Sequence, residues 1–370
     1  MSSGTLIIGG GIVGLGIGWK LAQRGEAVTV LERGQAGREA SWAAAGLLAP
    51  ATEVHYQEDR NLALGLEAMR LYPAFVAELE AFTGIGLDYR TEGALAVAGT
   101  ADEAADLKAL FDYQRARGLP VTWLTGEEVR EREPALSPYL TAGVFCPMDH
   151  HIDNRRLMEA LQAAFLKSGG TLLEHTEVTH IRCDGGRYRG VLAGEREFQS
   201  RRLLIAAGPW SGLLPGLPEA VRPPVRPVKG QLFSVRAPHQ DFLRHFIRAP
   251  HLYVAPKSDG RIVLGATVEE MGFNRDLTAG AFYTLLKAAW ETLPGIYELP
   301  ITETWCGFRP GSRDNAPILG PTAIPELYLA TGHYRNGILF APVTAQYMSE
   351  LILEGRTPAP LAPFSPARFA

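Results

Sequence analysis

The chain has 370 residues, a formal net charge of −4 and 46% apolar residues. A chain of this length and hydrophobicity can bury a large core and predicts about two domains, whereas its small net charge excludes a disordered protein. A pI near 6.2 disfavours a nucleic-acid binder that works through a basic face. The 40 glycines have no three-residue period, which excludes collagen and indicates tight turns or close approach of backbone to a ligand.

The spacing of the cysteines and the length of the apolar runs favour the cytoplasm as the cellular compartment. Cys146, Cys183 and Cys306 are widely spaced and form no CxxC pair, so the sequence predicts no disulfide framework and favours a reducing cytoplasm. No basic residue precedes the first apolar run, and no run approaches ~20 uninterrupted apolar residues. We therefore expect a cytoplasmic protein that needs neither a membrane nor nucleic acid.

In chain order, the N-terminal elements predict half of a parallel, doubly wound sheet. A short strand at 5–9, a helix at 12–24 that ends at Gly25 and a second strand at 27–32 form this unit. Helical spacing follows at 61–82, where Pro73 interrupts it, at 101–117, and at 154–168, where Asp153 is placed as the N-cap.

From Thr171 the apolar residues repeat every second position, which indicates a strand-rich region. Strands are predicted at 172–175, 178–183, 187–192, 203–206, 230–235, 252–255, 262–265, 301–308, 316–319 and 327–330. Helices are predicted at 279–293 and 338–354, and a loose proline-rich tail from Pro358. Because strands interrupt the nucleotide-binding pattern, each of the two domains is expected to be discontinuous.

The first strand leads into the motif Gly9-Gly10-Gly11-Ile12-Val13-Gly14, which matches GxGxxG at the start of a helix. Gly9 permits the tight turn, Gly11 lets a pyrophosphate reach the backbone, and Gly14 lets the helix pack on the sheet. Glu32 ends the second strand, where a carboxylate binds ribose hydroxyls and disfavours a 2′-phosphate. The motif predicts a dinucleotide and leaves FAD and NAD open.

Five segments carry a resemblance to a known family: EASWAAAGLLAP at 39–50, MDHHIDN at 148–154, IAAGPWSG at 205–212, WCGFRPGSRDNAPILG at 305–320 and ATGHYRNGILFAP at 330–342. They resemble the FAD-dependent D-amino-acid oxidase superfamily and, within it, the glycine oxidase branch of thiamine biosynthesis. The resemblance runs from about Thr5 to Glu354.

This resemblance implies an α/β fold in which a Rossmann-like FAD-binding domain carries a substrate domain with a large mixed β-sheet. The FAD-binding domain would comprise 1–50, 150–215 and 310–357, the substrate domain 51–149 and 216–309, and the tail 358–370. It also implies non-covalent FAD and a small amino-acid or amine substrate oxidised to an imine, with O2 reduced to H2O2. By analogy alone, the assembly would be a homotetramer.

The same resemblance assigns four residues to the substrate. Arg309 matches the carboxylate-binding arginine, and a guanidinium suits a carboxylate because it can bind both oxygens. Tyr253 matches a second carboxylate contact. His251 matches a histidine near the active site and would share the face of Tyr253 if 251–253 is a strand, and a surface or loop histidine stays open as the alternative. Arg335 matches an arginine near the flavin and the mouth of the site, where binding substrate and holding the loop stay open as alternatives.

For the cofactor, the motif and the resemblance together assign a larger set. These residues are Gly9, Gly11, Ile12, Val13, Gly14, Glu32, Arg33, Ser41, Trp42, Ala44, Ala45, Gly46, Leu47, Val178, Gly208, Trp210, Gly332, Arg335, Asn336, Gly337 and Ile338. The run Asn336–Ile338 is expected to begin the last helix, whose positive end would stabilise negative charge on the flavin.

Several residues favour a structural role or leave the substrate open. Cys306 lies near the position of covalent flavin attachment in sarcosine-oxidase relatives, but the following GFRP resembles the non-covalent branch. The segment 149–153 looks metal-like, yet it precedes a helix and favours capping and loop packing, so no metal is predicted. Leu47 and Val268 stand where the family often has Met, which puts strict glycine preference in doubt.

No general base is assigned, because hydride transfer needs only the neutral amine of the bound amino acid. A sarcosine or D-amino-acid oxidase, or a dehydrogenase of the same superfamily, is the nearest alternative. A flavoprotein that modifies tRNA would be expected to carry a basic or fused partner domain. A flavin-binding module without activity would have no reason to retain Arg309 and Tyr253.

Overall fold

The computed structural model describes residues 4–56, 58–239 and 241–369. The helices are α1 Ile12–Gln23, α2 Ala40–Ala43, α3 Asp59–Thr83, α4 Ala101–Ala116, α5 Gly126–Arg132, α6 Asn154–Lys167, α7 Ala279–Thr292 and α8 Ala341–Glu354. The strands are β1 Thr5–Ile8, β2 Val28–Leu31, β3 Leu47–Leu48, β4 Ala94–Ala98, β5 Thr122–Thr125, β6 Ala142–Cys146, β7 His150–His151, β8 Thr171–Leu173, β9 His180–Asp184, β10 Arg187–Ala193, β11 Arg196–Phe198, β12 Arg202–Ile205, β13 Val225–Arg236, β14 Phe246–Ala249, β15 Leu252–Pro256, β16 Arg261–Gly265, β17 Ile301–Ser312, β18 Ile318–Pro321 and β19 Leu327–Thr331.

The first sheet has six strands in the order β18-β19-β12-β1-β2-β8. All neighbours are parallel except β18 and β19. Its central strands are apolar at successive positions because both faces are covered. Ile7 and Val30 face a core formed with α1, α3, α6 and α8, whereas Leu6 and Ile8 face the small sheet β9–β11. The predicted parallel, doubly wound unit is confirmed.

Helix α3 differs from its prediction in two ways. It belongs to the core of the first sheet, although the predicted division placed 51–149 with the substrate domain. It is also continuous across Pro73. Pro73 lies on the exposed face of the helix, while Tyr72, Phe75 and Val76 bury the opposite face, and this packing keeps the helix continuous across the proline.

The second sheet has eight strands in the order β17-β13-β16-β15-β14-β4-β6-β5. β14 and β4 are parallel and the other pairs are antiparallel, so the large mixed sheet is confirmed. Helix α7 packs on one face through Leu285 and Ala289. Strands β4, β5, β6 and β14 were not predicted, because short runs of small apolar residues such as ALAVA carry little periodicity.

The C-terminal part corrects two expectations. Helix α8 begins at Ala341 and not at Ile338, and a 3₁₀ turn at Tyr334–Asn336 precedes it. The tail is packed rather than loose: Phe364 is buried in the core of the first sheet, and the Arg368 guanidinium binds the Asp314 carboxylate. Among the helices of the described ranges, none has the length and apolar character needed to cross a membrane.

Candidate active site

A cavity of about 760 Å³ runs between the two sheets. One end is formed by the turn between β1 and α1, with Gly9 and Gly11, and by Glu32 after β2. The other end lies against the second sheet, where Tyr253 and Arg309 line it. The two predicted functional regions therefore share one continuous space.

The first end is built from backbone groups and one carboxylate. Helix α1 begins directly after Gly11, and its first residues Ile12 and Val13 line the cavity, so its positive end faces the cavity. No acidic residue in the first turn offsets this positive end. The Ile12 N–H donates to Ser41 Oγ at 3.0 Å. Glu32 accepts the N–H groups of Gly10 at 2.8 Å and Gly34 at 2.9 Å, which fixes the carboxylate at the cavity wall.

Glycines in the second sheet make room for the two predicted carboxylate contacts. A Cβ on Gly230 would lie 2.7 Å from both terminal nitrogens of Arg309, so the guanidinium rests directly on bare backbone. A Cβ on Gly265 would lie 2.9 Å from the Tyr253 phenol oxygen. Glycine inside a strand is typical of such close approach. The sheet thus positions a guanidinium and a phenol at one place in the cavity.

Arg309 and Tyr253 are both suited to bind an anion. Arg309 Nη1 donates to the backbone oxygens of Lys229 at 3.3 Å and Thr267 at 3.0 Å, which orients the guanidinium, and Arg309 lines the cavity. Burial raises the pKa of Tyr253 to about 12, although the Arg309 charge opposes this. The phenol therefore stays protonated at physiological pH and can donate a hydrogen bond.

The other two predicted substrate residues are placed differently. Arg335 lines the cavity, but its Nη2 donates to Glu58 Oε2 at 2.7 Å and to the Glu53 carbonyl at 3.0 Å. These contacts favour the role of holding the loop. His251 is exposed in the turn before β15 and does not line the cavity, so it does not share the site face with Tyr253.

His333 is a cavity residue that the sequence analysis did not select. It is buried, and its Nε2 lies 3.2 Å from Thr344 Oγ1 at the start of α8. Burial lowers the pKa of His333 to about 3. The imidazole is therefore neutral across the physiological range.

A cluster of aromatic and charged side chains bridges the two domains at the cavity. Trp210 stacks on Phe273 with ring centres 4.9 Å apart, and the Arg33 guanidinium lies 3.6 Å from the centre of the Trp210 ring. Glu39 binds Arg33 at 3.2 Å and Arg275 at 2.7 Å. Because Phe273 and Arg275 follow β16 of the second sheet, whereas Arg33, Glu39 and Trp210 follow strands of the first sheet, this cluster joins segments of the two sheets at the cavity.

Comparisons with known proteins agree with this geometry. The family model described as DAO, FAD dependent oxidoreductase, matches residues 5–351. The glycine oxidase of Geobacillus kaustophilus is 36% identical over 98% of this chain and 96% of its own length. A solved structure of a glycine oxidase from the same species has a TM-score of 0.91 at 35% identity and covers 98% of this chain and 97% of its own.

The chain belongs to the FAD-dependent oxidoreductase family.

A further relative is the bifunctional protein ThiO/ThiG of Synechocystis sp., which is 36% identical over 100% of this chain. The chain spans only 54% of that relative's length.

The cavity fits FAD, the cofactor of this family. Small residues form the wall where the two domains meet: a Cβ on Gly307 would collide with the Ala43 side chain, and a Cβ on Gly46 would collide with the Ile152 carbonyl. A flat ring that lies against backbone needs such a wall. The Cys306 thiol lies outside the cavity lining and donates to the Arg275 carbonyl at 3.3 Å, which supports the predicted non-covalent binding.

Most residues assigned to the cofactor line the cavity. They are Gly9, Gly11, Ile12, Val13, Glu32, Arg33, Ser41, Ala44, Ala45, Gly46, Leu47, Val178, Gly208, Trp210, Arg335, Gly337 and Ile338.

Four of the assigned residues do not line it: Gly14, Trp42, Gly332 and Asn336. Gly14 packs α1 on the first sheet, as its motif position predicted, because a Cβ there would collide with the Gly9 carbonyl. Trp42 turns away from the cavity toward Trp305, with ring centres 5.9 Å apart. A Cβ on Gly332 would contact Ile318 and Ser312, so this glycine serves packing.

The sequence analysis missed other residues of the site. Glu53 and Arg248 line the substrate end but belong to no motif that could have indicated them. Gly230, Gly265 and Gly307 lie in strands, and an isolated glycine in a strand pattern was the available signal for close approach.

The metal-like segment has the structural role that was predicted. Asp149 is buried and accepts hydrogen bonds from the N–H groups of Ala51 at 3.1 Å and Thr52 at 2.6 Å. Asp153 caps α6 by accepting the N–H groups of Arg155 and Arg156. These contacts confirm capping and loop packing.

Proposed function

We propose that the chain is an FAD-dependent oxidase of glycine or similarly small amino acids. The observation that carries the proposal is the pair of Arg309 and Tyr253, which rest over Gly230 and Gly265 in the cavity assigned to the cofactor. A guanidinium and a protonated phenol together bind a carboxylate with defined orientation. The glycine oxidase relatives support the same substrate class.

The protein's own contribution is binding and orientation. Arg309 and Tyr253 would hold the substrate carboxylate, which places Cα and the amine toward the small-residue wall at Ala44–Gly46. When bound, FAD supplies the acceptor for the hydride that leaves Cα. We assign no side chain as a general base, so the substrate must react with its amine unprotonated. Activity should therefore rise with pH as the substrate ammonium loses its proton.

The overall reaction would convert the amino acid to an imine, which water hydrolyses to a 2-oxo acid and ammonia. The amino acid loses two electrons and two protons, and O2 would receive both as H2O2. The ThiO/ThiG relative supports a role in supplying the imine to thiamine thiazole synthesis. An N-methylated or D-amino acid is the alternative substrate. Leu47 and Val268 line the cavity at positions where the family often has Met, and these replacements change the apolar wall that would select glycine.

Release of peroxide from glycine, sarcosine, D-alanine and D-proline tests this proposal. We expect the yellow holoenzyme to oxidise at least one of them. Arg309→Met should retain bound FAD and lose more than about 100-fold in kcat/KM, because bidentate charged hydrogen bonds are lost. Arg309→Lys is the matched control and should retain part of this activity. No peroxide from any of the four, with FAD bound, would rule out the oxidase.

A further inference from the structure

The substrate end of the cavity contains three guanidinium groups that differ in their partners. Arg335 has a close ion pair, at 2.7 Å from Glu58. Arg309 donates to backbone carbonyls and interacts with the Tyr253 phenol, and among the described residues it forms no ion pair with a carboxylate. Arg248 lies 3.5 Å from Glu53 Oε1. With both ion pairs neutral, Arg309 is the one unmatched positive charge among these three.

Arg248 lies beside the proposed carboxylate site. It is the cross-strand neighbour of Tyr253 in the antiparallel pair β14–β15, so the two side chains share one face of the sheet. Its Nη1 donates to the backbone oxygens of Ala249 at 2.7 Å and Leu252 at 3.2 Å, which keeps the guanidinium in place. A second anionic group on a substrate could therefore reach it if no protein carboxylate were present.

Glu53 is the carboxylate that meets Arg248, and its backbone is firmly held. The preceding residue, Thr52, donates its N–H to the buried Asp149, and the Glu53 carbonyl accepts from Arg335 at 3.0 Å. The Glu53 side chain has only the longer 3.5 Å pairing with Arg248 within the described residues. An anchored carboxylate, that of Glu53, therefore pairs with the Arg248 guanidinium, and both residues line the cavity.

We propose that Glu53 determines substrate specificity: by neutralising Arg248 it excludes amino acids with a second carboxylate and restricts the site to those with one. This inference rests on the proposed amino-acid oxidation. A dicarboxylic substrate would have to place its second anion beside Glu53, where like charges repel, and would leave Glu53 without its counter-charge. Removing the Glu53 charge should make Arg248 available.

Binding of two four-carbon acids, butyrate and succinate, tests the inference without turnover. Each is titrated into the FAD holoenzyme and followed by the visible absorbance of the flavin. The unmodified protein should prefer butyrate. Glu53→Gln should shift the ratio of dissociation constants toward succinate by about 10- to 100-fold, the range of one charged hydrogen bond. The double variant Glu53→Gln/Arg248→Met should return the ratio to that of the unmodified protein.

Two controls make the result decisive. Glu270→Gln removes the same charge from the Arg226 ion pair, of which neither residue lines the cavity, and it should shift the ratio by less than about threefold. An equal shift in Glu270→Gln would attribute the effect to net charge and overturn the inference. No shift in Glu53→Gln, or a shift that persists without Arg248, would overturn it as well.

A turnover experiment uses D-2-aminobutyrate and D-aspartate, which differ by a methyl group in place of a carboxylate. Glu53→Gln should raise kcat/KM for D-aspartate relative to D-2-aminobutyrate by a similar factor. If no variant oxidises any amino acid, the proposed function fails, whereas the binding ratios still decide the role of Glu53.

Discussion

Gly230→Ala should separate substrate binding from stability. The new Cβ would lie 2.7 Å from Arg309 Nη1 and Nη2 and 2.9 Å from Cζ, whereas ordinary contacts begin at 3.4 Å. The guanidinium must therefore move by about 0.7 Å, the difference between these distances. Because the displaced atoms end a flexible side chain, the free energy of unfolding should change by less than ~1 kcal/mol.

Displacing the Arg309 guanidinium should weaken binding of the substrate carboxylate more than it lowers the free energy of unfolding. A hydrogen bond to a charged group contributes about 1.5–3 kcal/mol, and 1.4 kcal/mol is a factor of ten, so losing one bond predicts a KM about 10- to 100-fold higher. The assay measures KM for the best substrate, the dissociation constant of butyrate, and urea unfolding. Gly280→Ala is the control, because no atom lies within 4 Å of its added Cβ.

A variant with unchanged KM and unchanged stability would refute the reasoning, since Arg309 would then not bind the carboxylate from its observed position. A large loss of stability would refute it in another way, because the sheet rather than the guanidinium would have taken the strain.

Three further predictions concern Tyr253, His333 and Arg275. Tyr253→Phe should weaken butyrate binding by about tenfold equally from pH 7 to 10, because burial keeps the phenol pKa near 12; flavin-monitored titration measures this. The pKa of His333 is about 3 when folded and 6.5 by its ordinary value, so the unfolded chain is protonated first. As pH falls below 6.5, the protein should therefore lose about 1.4 kcal/mol per pH unit of stability relative to His333→Gln in urea unfolding, and parallel curves would contradict this. Arg275→Met should speed FAD release two- to fivefold by loss of the exposed Glu39 pair. Arg226→Met, which removes an ion pair outside the cavity lining, should not speed release, and equal release rates in both variants would contradict the role of the Arg275–Glu39 ion pair in retaining FAD.

The nucleotide end could be predicted because its chemistry is local in the chain. Gly9 to Gly14 and Glu32 lie within one strand–helix–strand unit, and the turn that joins them follows from the glycine pattern. The helix α8 was less predictable at its start, because residues that precede Ala341 form a tight turn with helical spacing.

The substrate end could be predicted only in part, because distant segments form it. Tyr253 and Arg309 were identified by resemblance, but Glu53 and Arg248 meet only after β14 pairs with strands from elsewhere in the chain. Trp42 shows the same limit within a correctly identified loop. Its neighbours Ala43 and Ser41 face the cavity, while its own ring packs between the domains against Trp305.

The strand order of the first sheet also determines when this sheet can be completed during synthesis of the chain. β1 lies between β2 and β12, and β12 in turn needs β19, so strands from the beginning, middle and end of the chain are adjacent. At about 5–20 residues per second, roughly ten to thirty seconds separate the synthesis of β2 from that of β12. During this interval the edge of β1 that later pairs with β12 is unpaired in the nascent chain. Chaperone binding in this period would protect that apolar edge from aggregation.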